Sequence, residues 1–200
     1  VGTFINSSTS ATLDANNADP DGTVATFIGG GYNNNIETEG PEAIGSGIAS
    51  AIVAGGNNYM EGRYTSIVGG LSNTGINNYS FIGGGLDNVL ATGRNEATLY
   101  EYYGVRVGGN FIGAGRYNNI TSFNYSSILG GFSNLISGDG HDVIDGSSTV
   151  SILGGSQNCI IGITGGLADL YAAQNDSDRS TIVGGSNNVI HQSTGSFIGN

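Results

Sequence analysis

The chain has 200 residues, 37 of them glycine and 2 proline, and its formal net charge of −11 gives a sequence pI of about 4.1. An acidic chain without a basic face cannot neutralise phosphates, which excludes nucleic acid as a partner and disfavours an anionic membrane surface. Cys159 is the single cysteine, so no disulfide closes within the chain. No apolar run reaches 18 residues and no signal-peptide pattern is visible, so membrane insertion is not expected.

In chain order, Gly2-Thr3-Phe4-Ile5 opens a phrase that returns to the last residues. Thr26-Phe27-Ile28-Gly29-Gly30 leads through Asn34 to Ile36. Ile52 is followed by Asn58, and Ile67 by Asn73. Ser80-Phe81-Ile82-Gly83-Gly84 leads through Asn88 to Leu90. Ile112 is followed by Asn118. Ser126 and Ile128 lead through Asn134 to Ile136, Ile152 through Asn158 to Ile160, and Ser180 and Ile182 through Asn188 to Ile190. Ser196-Phe197-Ile198-Gly199 opens a last copy. The leading isoleucines are spaced 23, 24, 15, 15, 30, 16, 24, 30 and 16 residues apart, a unit of 15 or 16 lengthened by insertions.

The unit predicts an all-β fold, a parallel β-solenoid (β-roll) forming one repeat array over residues 1–200. Isoleucine and the hydroxyl residue two places before it share one face of a strand, because the side-chain period is 2. The glycine pair breaks the strand and permits positive φ, hence a corner. A second short strand carries the asparagine and the closing aliphatic. No unit buries its isoleucines alone, so like stacks on like at about 4.8 Å, where asparagines can pass amide hydrogen bonds along the axis. Phe27, Phe81, Phe111, Phe132 and Phe197 are expected at equivalent places, as stripes along the stack. Helices are excluded by the missing i, i+3, i+4, i+7 pattern, and a collagen triple helix by the absence of glycine at every third residue. Both ends open the same phrase, which predicts a segment of a longer fibre.

Phrases such as Ser180-Thr181-Ile182-Val183-Gly184-Gly185-Ser186-Asn187-Asn188-Val189-Ile190 resemble the head repeats of trimeric autotransporter adhesins. They resemble more closely the isoleucine-rich repeats of fibre proteins from tailed bacteriophages and large aquatic viruses. The resemblance covers most of the chain apart from the insertions. It implies a parallel β-roll, three chains side by side and a role in attachment. The bacterial repeats usually have a 14-residue unit and alanines in the core; this chain is longer in the unit and bulkier in the core. A thin 15-residue coil buries little per chain, an independent motive for a parallel homotrimer.

Long spacings locate insertions near residues 14–26, 37–50, 91–110, 137–149 and 161–180, which hold 14 of the 16 carboxylates. Around a glycine turn, Asp139, Asp142 and Asp145 place three hard oxygen donors within seven residues, as a metal site or as a solvated acidic loop. Tyr100, Glu101, Tyr102 and Tyr103 form the one aromatic cluster, suited to a carbohydrate ligand or to packing of the loop. Glu37, Glu39, Glu42, Glu96 and Glu101 are the candidates for paired carboxylates of glycan hydrolysis. With only His141 and His191, no zinc pattern exists, no cofactor is expected, and Cys159 reads as a small buried filler. These residues predict a structural, adhesive fibre segment, not an enzyme: a viral tail-fibre shaft or receptor-binding region, in the virion tail fibre or outside the cell. The partners expected are further copies of the chain and a host surface glycan or receptor. The alternatives are a bacterial surface adhesin head, a glycan-cleaving tailspike and a self-assembling extracellular filament.

Overall fold

A computed structural model of the chain describes residues 2–5, 12–14, 25–37, 49–62, 64–91, 109–121, 125–138, 149–162, 179–191, 193 and 195–199. Among them, every regular element is a short strand, and the strands form two sheets. Sheet 1 has ten strands: Gly2–Ile5, Ala25–Ile28, Ala51–Ile52, Ser66–Ile67, Phe81–Ile82, Phe111–Ile112, Ser127–Ile128, Ser151–Ile152, Thr181–Ile182 and Phe197–Ile198. Sheet 2 has nine: Thr12–Asp14, Asn35–Glu37, Tyr59–Met60, Thr74–Gly75, Val89–Ala91, Asn119–Thr121, Leu135–Ser137, Cys159–Ile161 and Val189–His191. Neighbouring strands of each sheet are parallel and come from successive coils, so the chain is a β-solenoid.

Register follows the sequence phrase. Ile52 pairs with Ile28 and Ile67, Ile82 with Ile67 and Ile112, and the row continues through Ile128, Ile152 and Ile182 to Ile198. The leading isoleucines from Ile28 to Ile182 are buried, and Ile198 packs against them. From sheet 2 come Ile36, Met60, Leu90, Ile120, Ile136, Ile160 and Ile190. Each buried side chain contributes about 2 kcal/mol of transfer free energy. One place in this second row lacks a side chain. Gly75 pairs with Met60 and Leu90, and a Cβ there would lie 3.1 Å from Thr65 Cγ2 and 3.7 Å from Ile67 Cδ1.

The asparagines sit at the corner just ahead of the second strand and not within it. Asn34, Asn58, Asn73, Asn88, Asn118, Asn134 and Asn158 are buried. Each Oδ1 accepts the backbone N–H of the next coil's asparagine at 3.0–3.2 Å. Amide-to-amide bonds run beside these, as from Asn58 to Asn34 at 3.0 Å and from Asn118 to Asn88 at 3.1 Å. The same Nδ2 reaches the carbonyl four residues earlier and a glycine carbonyl one coil onward, as Asn73 does to Gly69 (3.0 Å) and Gly85 (3.2 Å). A corner turns away from its own strand, so its backbone groups need partners; the asparagine supplies them across three coils.

The residue three places before each asparagine must be glycine. Gly55, Gly70, Gly85, Gly115, Gly131, Gly155 and Gly185 have φ between 83° and 109°. At Gly155 a Cβ would overlap the Gly185 carbonyl oxygen, and every earlier member of the row meets its successor in the same way. The residue ahead of this glycine is conformationally ordinary in most coils, and Ala54 and Ala114 replace glycine there. The residue before each asparagine is also left-handed: Asn33, Asn57, Ser72, Asp87, Tyr117, Ser133, Gln157 and Asn187 have φ of 48–57°. Asparagine and aspartate tolerate this region better than most side chains.

Candidate functional site

The second corner returns the chain from sheet 2 to sheet 1. Here the hydroxyl residue points inward as expected: Thr26, Ser50, Thr65, Ser80, Ser126 and Ser180 are buried. Ser50 Oγ donates to the Gly62 carbonyl at 2.7 Å and accepts Thr65 N–H at 3.3 Å. Asn110 and Val150 occupy the same row in other coils, as the backbone ladder from sheet 1 shows. All five insertions join the roll at this corner. Each leaves from the end of a sheet 2 strand and returns at the start of a sheet 1 strand, so their points of attachment lie along one edge of the rod.

The candidate site residues Tyr100, Glu101, Tyr102, Tyr103, Asp139, Asp142 and Asp145 belong to these insertions and lie outside the described residues, as do Glu39, Glu42, Glu96 and His141. Glu37 ends a sheet 2 strand, but its side chain also lies outside them. Among the described residues, no three His, Cys, Asp or Glu side chains gather in a metal-binding group. Cys159 is half-buried in the outward row of sheet 2, between Leu135 and Val189, and is not the buried filler its place in the phrase suggested. Asn158 and Ile160 on either side point inward, so the period of 2 turns Cys159 out. Burial raises the thiol pKa, which keeps it protonated and a poor nucleophile at neutral pH.

The same corner carries an aromatic row that the sequence phrase does not announce. Tyr64, Tyr79 and Tyr125 are 49%, 65% and 60% exposed, and all sit at φ of 52–53°. Bulky residues seldom adopt that conformation. The Tyr64 and Tyr79 rings stack at 5.1 Å, and the Tyr125 ring covers the place a Cβ of Gly109 would fill. The 15-residue interval from Tyr64 to Tyr79 was the available signal.

Among the described residues, eight of the 16 exposed large hydrophobic side chains lie on the outer face of sheet 1. Two rows of side chains flank the buried isoleucines, one residue before and one after. In four coils the pair is Phe with Gly: Phe27 and Gly29, Phe81 and Gly83, Phe111 and Gly113, Phe197 and Gly199. In five more a small residue precedes an aliphatic: Ala51 and Val53, Ser66 and Val68, Ser127 and Leu129, Ser151 and Leu153, Thr181 and Val183; the side chains of the tenth strand, Gly2–Ile5, lie outside the described residues. Each phenylalanine lies over its glycine. A Cβ on Gly29, Gly83, Gly113 or Gly199 would meet the ring at 2.9, 3.4, 3.3 or 2.8 Å, and on the first three it would also overlap the carbonyl oxygen of Val53, Gly113 or Leu129 in the next coil. Phe81 and Phe111 stack at 5.4 Å with ring planes 6° apart. Phe132 does not share this row. It pairs with Arg116 and Ser156 at the asparagine corner, where the Tyr117 ring meets it edge-on at 5.9 Å and Arg116 lies 4.6 Å over Tyr117. Comparison with protein-family models and with curated proteins finds no match to this chain.

Proposed function

We propose that this chain is a structural and adhesive fibre segment, a viral tail-fibre shaft or receptor-binding region, assembled as a parallel homotrimer outside the cell. The observation that carries the reading is the attachment of all five insertions along one edge of a rod whose every coil repeats the same register. A stack cross-linked by hydrogen bonds at each coil makes a stiff support, and recognition in such scaffolds belongs to the elements that depart from it. The insertions hold 14 of the 16 carboxylates, while the regular units are nearly uncharged. The resemblance of the repeat phrase to viral fibre repeats points the same way.

The reading is binding without turnover. Within the insertions, Tyr100, Tyr102 and Tyr103 offer ring faces to a sugar and Glu101 accepts hydrogen bonds from its hydroxyls. The chain is tested against a panel of immobilised bacterial surface polysaccharides. Retention that falls at least tenfold when Tyr100, Tyr102 and Tyr103 are all changed to alanine, at unchanged circular dichroism, supports the reading. Release of reducing sugar that disappears on changing one insertion carboxylate would establish a glycan-cleaving tailspike instead.

A further inference from the structure

We propose that the outer face of sheet 1 is the seam along which copies of this chain meet, parallel and in register. This rests on the fibre reading above and names the face that assembly uses. Where the residue after the buried isoleucine is Val or Leu, the residue before it is small. Where the residue after is glycine, the residue before is phenylalanine, and its ring lies over that glycine. Two sequence solutions therefore give one result in nine coils: a large apolar group stands above the same line. Stacking within one chain accounts for the glycines, because a Cβ at Gly29, Gly83 or Gly113 would overlap the next coil's carbonyl oxygen, but it does not call for a ring beside them, since the core lies on the other side of the strand and is already closed by the isoleucines. Aromatic cover of a glycine satisfies one coil; keeping the ridge continuous over nine serves a partner that contacts all of them.

That partner is a second copy. The ridge is one side chain wide and advances by one coil spacing per step, and another solenoid of the same sequence has that spacing throughout. The ridge carries no charge: among the described residues Asp14 and Glu37 end sheet 2 strands, and Glu61, Asp87, Arg116 and Arg179 also lie in other rows. Copies with a formal charge of −11 can meet there without opposing carboxylates. Phe81 is half-buried, and the exposed fractions of the other eight run from 36% at Phe27 and Phe111 to 68% at Phe197. With full areas of about 150–200 Å² per side chain, the ridge offers roughly 650 Å² per copy, close to the ~800 Å² per partner of a stable interface. The outer rows of sheet 2 do not keep such a line: Asn35, Tyr59 and Thr74 precede Val89, and Asn119 interrupts the aliphatics that follow. A narrow ridge shared around one axis brings identical residues together at equal height.

Sedimentation of the whole chain, at tens of micromolar, reads the assembly directly. The unchanged chain is expected at a multiple of its 20.2 kDa mass. Leu129→Asp with Leu153→Asp should return it to the single-chain mass with its β circular dichroism intact. Val189→Asp, equally exposed on sheet 2, should leave the assembly whole. Leu153→Cys in a Cys159→Ser background should cross-link copies under mild oxidation, a readout that does not depend on the aspartate variant folding. A single-chain mass for the unchanged protein overturns assembly and seam together. An assembled chain that survives the two aspartates, or yields no cross-link at 153, overturns the seam and leaves the fibre reading standing.

Discussion

The two corners of the coil solve the same problem in opposite ways. At the asparagine corner, one residue type recurs from Asn34 to Asn188, the glycine before it is left-handed in every coil, and every described coil runs through without a break. At the return corner the inward place accepts Thr, Ser, Asn or Val, and the left-handed place before it accepts alanine, tyrosine, arginine or glycine. All the insertions attach there. The difference lies in the number of bonds each side chain makes. An asparagine amide joins three successive coils, so removing it leaves several buried groups unpaired. A return-corner hydroxyl bonds mainly to one carbonyl and one N–H, as Ser50 does. A corner held by its neighbours above and below excludes extra residues; a corner held loosely is where the chain can leave and return.

Three measurements test this contrast. The largest effect is expected from Asn118→Ala. It removes the bonds to Asn88, Ala114 and Gly131 and strips the acceptor from Asn134. With buried unpaired groups at 1–3 kcal/mol each, the loss is about 4 kcal/mol. Ser50→Val copies what Val150 already does and should cost about 1 kcal/mol. Equal losses in denaturant titration would mean that the corners are equivalent.

The second contrast lies within one glycine pair. Gly155→Ala forces a Cβ into the Gly185 carbonyl at φ 88°, whereas Gly154→Ala meets nothing within 4 Å. Left-handed alanine alone costs about 1–2 kcal/mol, so a loss of about 3 kcal/mol is expected at 155 once the overlap is included. At 154 the change should stay within about 0.5 kcal/mol. Comparable melting temperatures for the two variants would contradict the assignment of the corner to the second glycine.

The smallest effect concerns the insertions. Stability resides in the ladder of coils, so adding a chelator should leave the melting temperature within about 1 °C of its starting value, well below the 2–4 °C that a 1 kcal/mol change gives a chain of this size. A larger fall would make Asp139, Asp142 and Asp145 a structural calcium site.

The sequence alone determined the unit, the all-β solenoid, the inward isoleucines and hydroxyls, and the five points of insertion. These follow from a period of 2 and from a repeat that must bury one face, both local properties of the chain. The stacking of asparagine amides was legible for the same reason. Their place at a corner and not in a strand was not, because it is set by carbonyls 12 to 27 residues away. Nor did the phrase show that Phe132 stands in another row from Phe81 and Phe111, that Cys159 faces outward, or that tyrosines occupy left-handed positions. The glycine after each phenylalanine was visible in the sequence, yet its meaning was not: only the fold lays the ring over it and aligns that ring with the valines and leucines of coils 15 to 30 residues away. Side chains in one coil are positioned by the coil above and the coil below, and the insertions make that separation irregular along the chain.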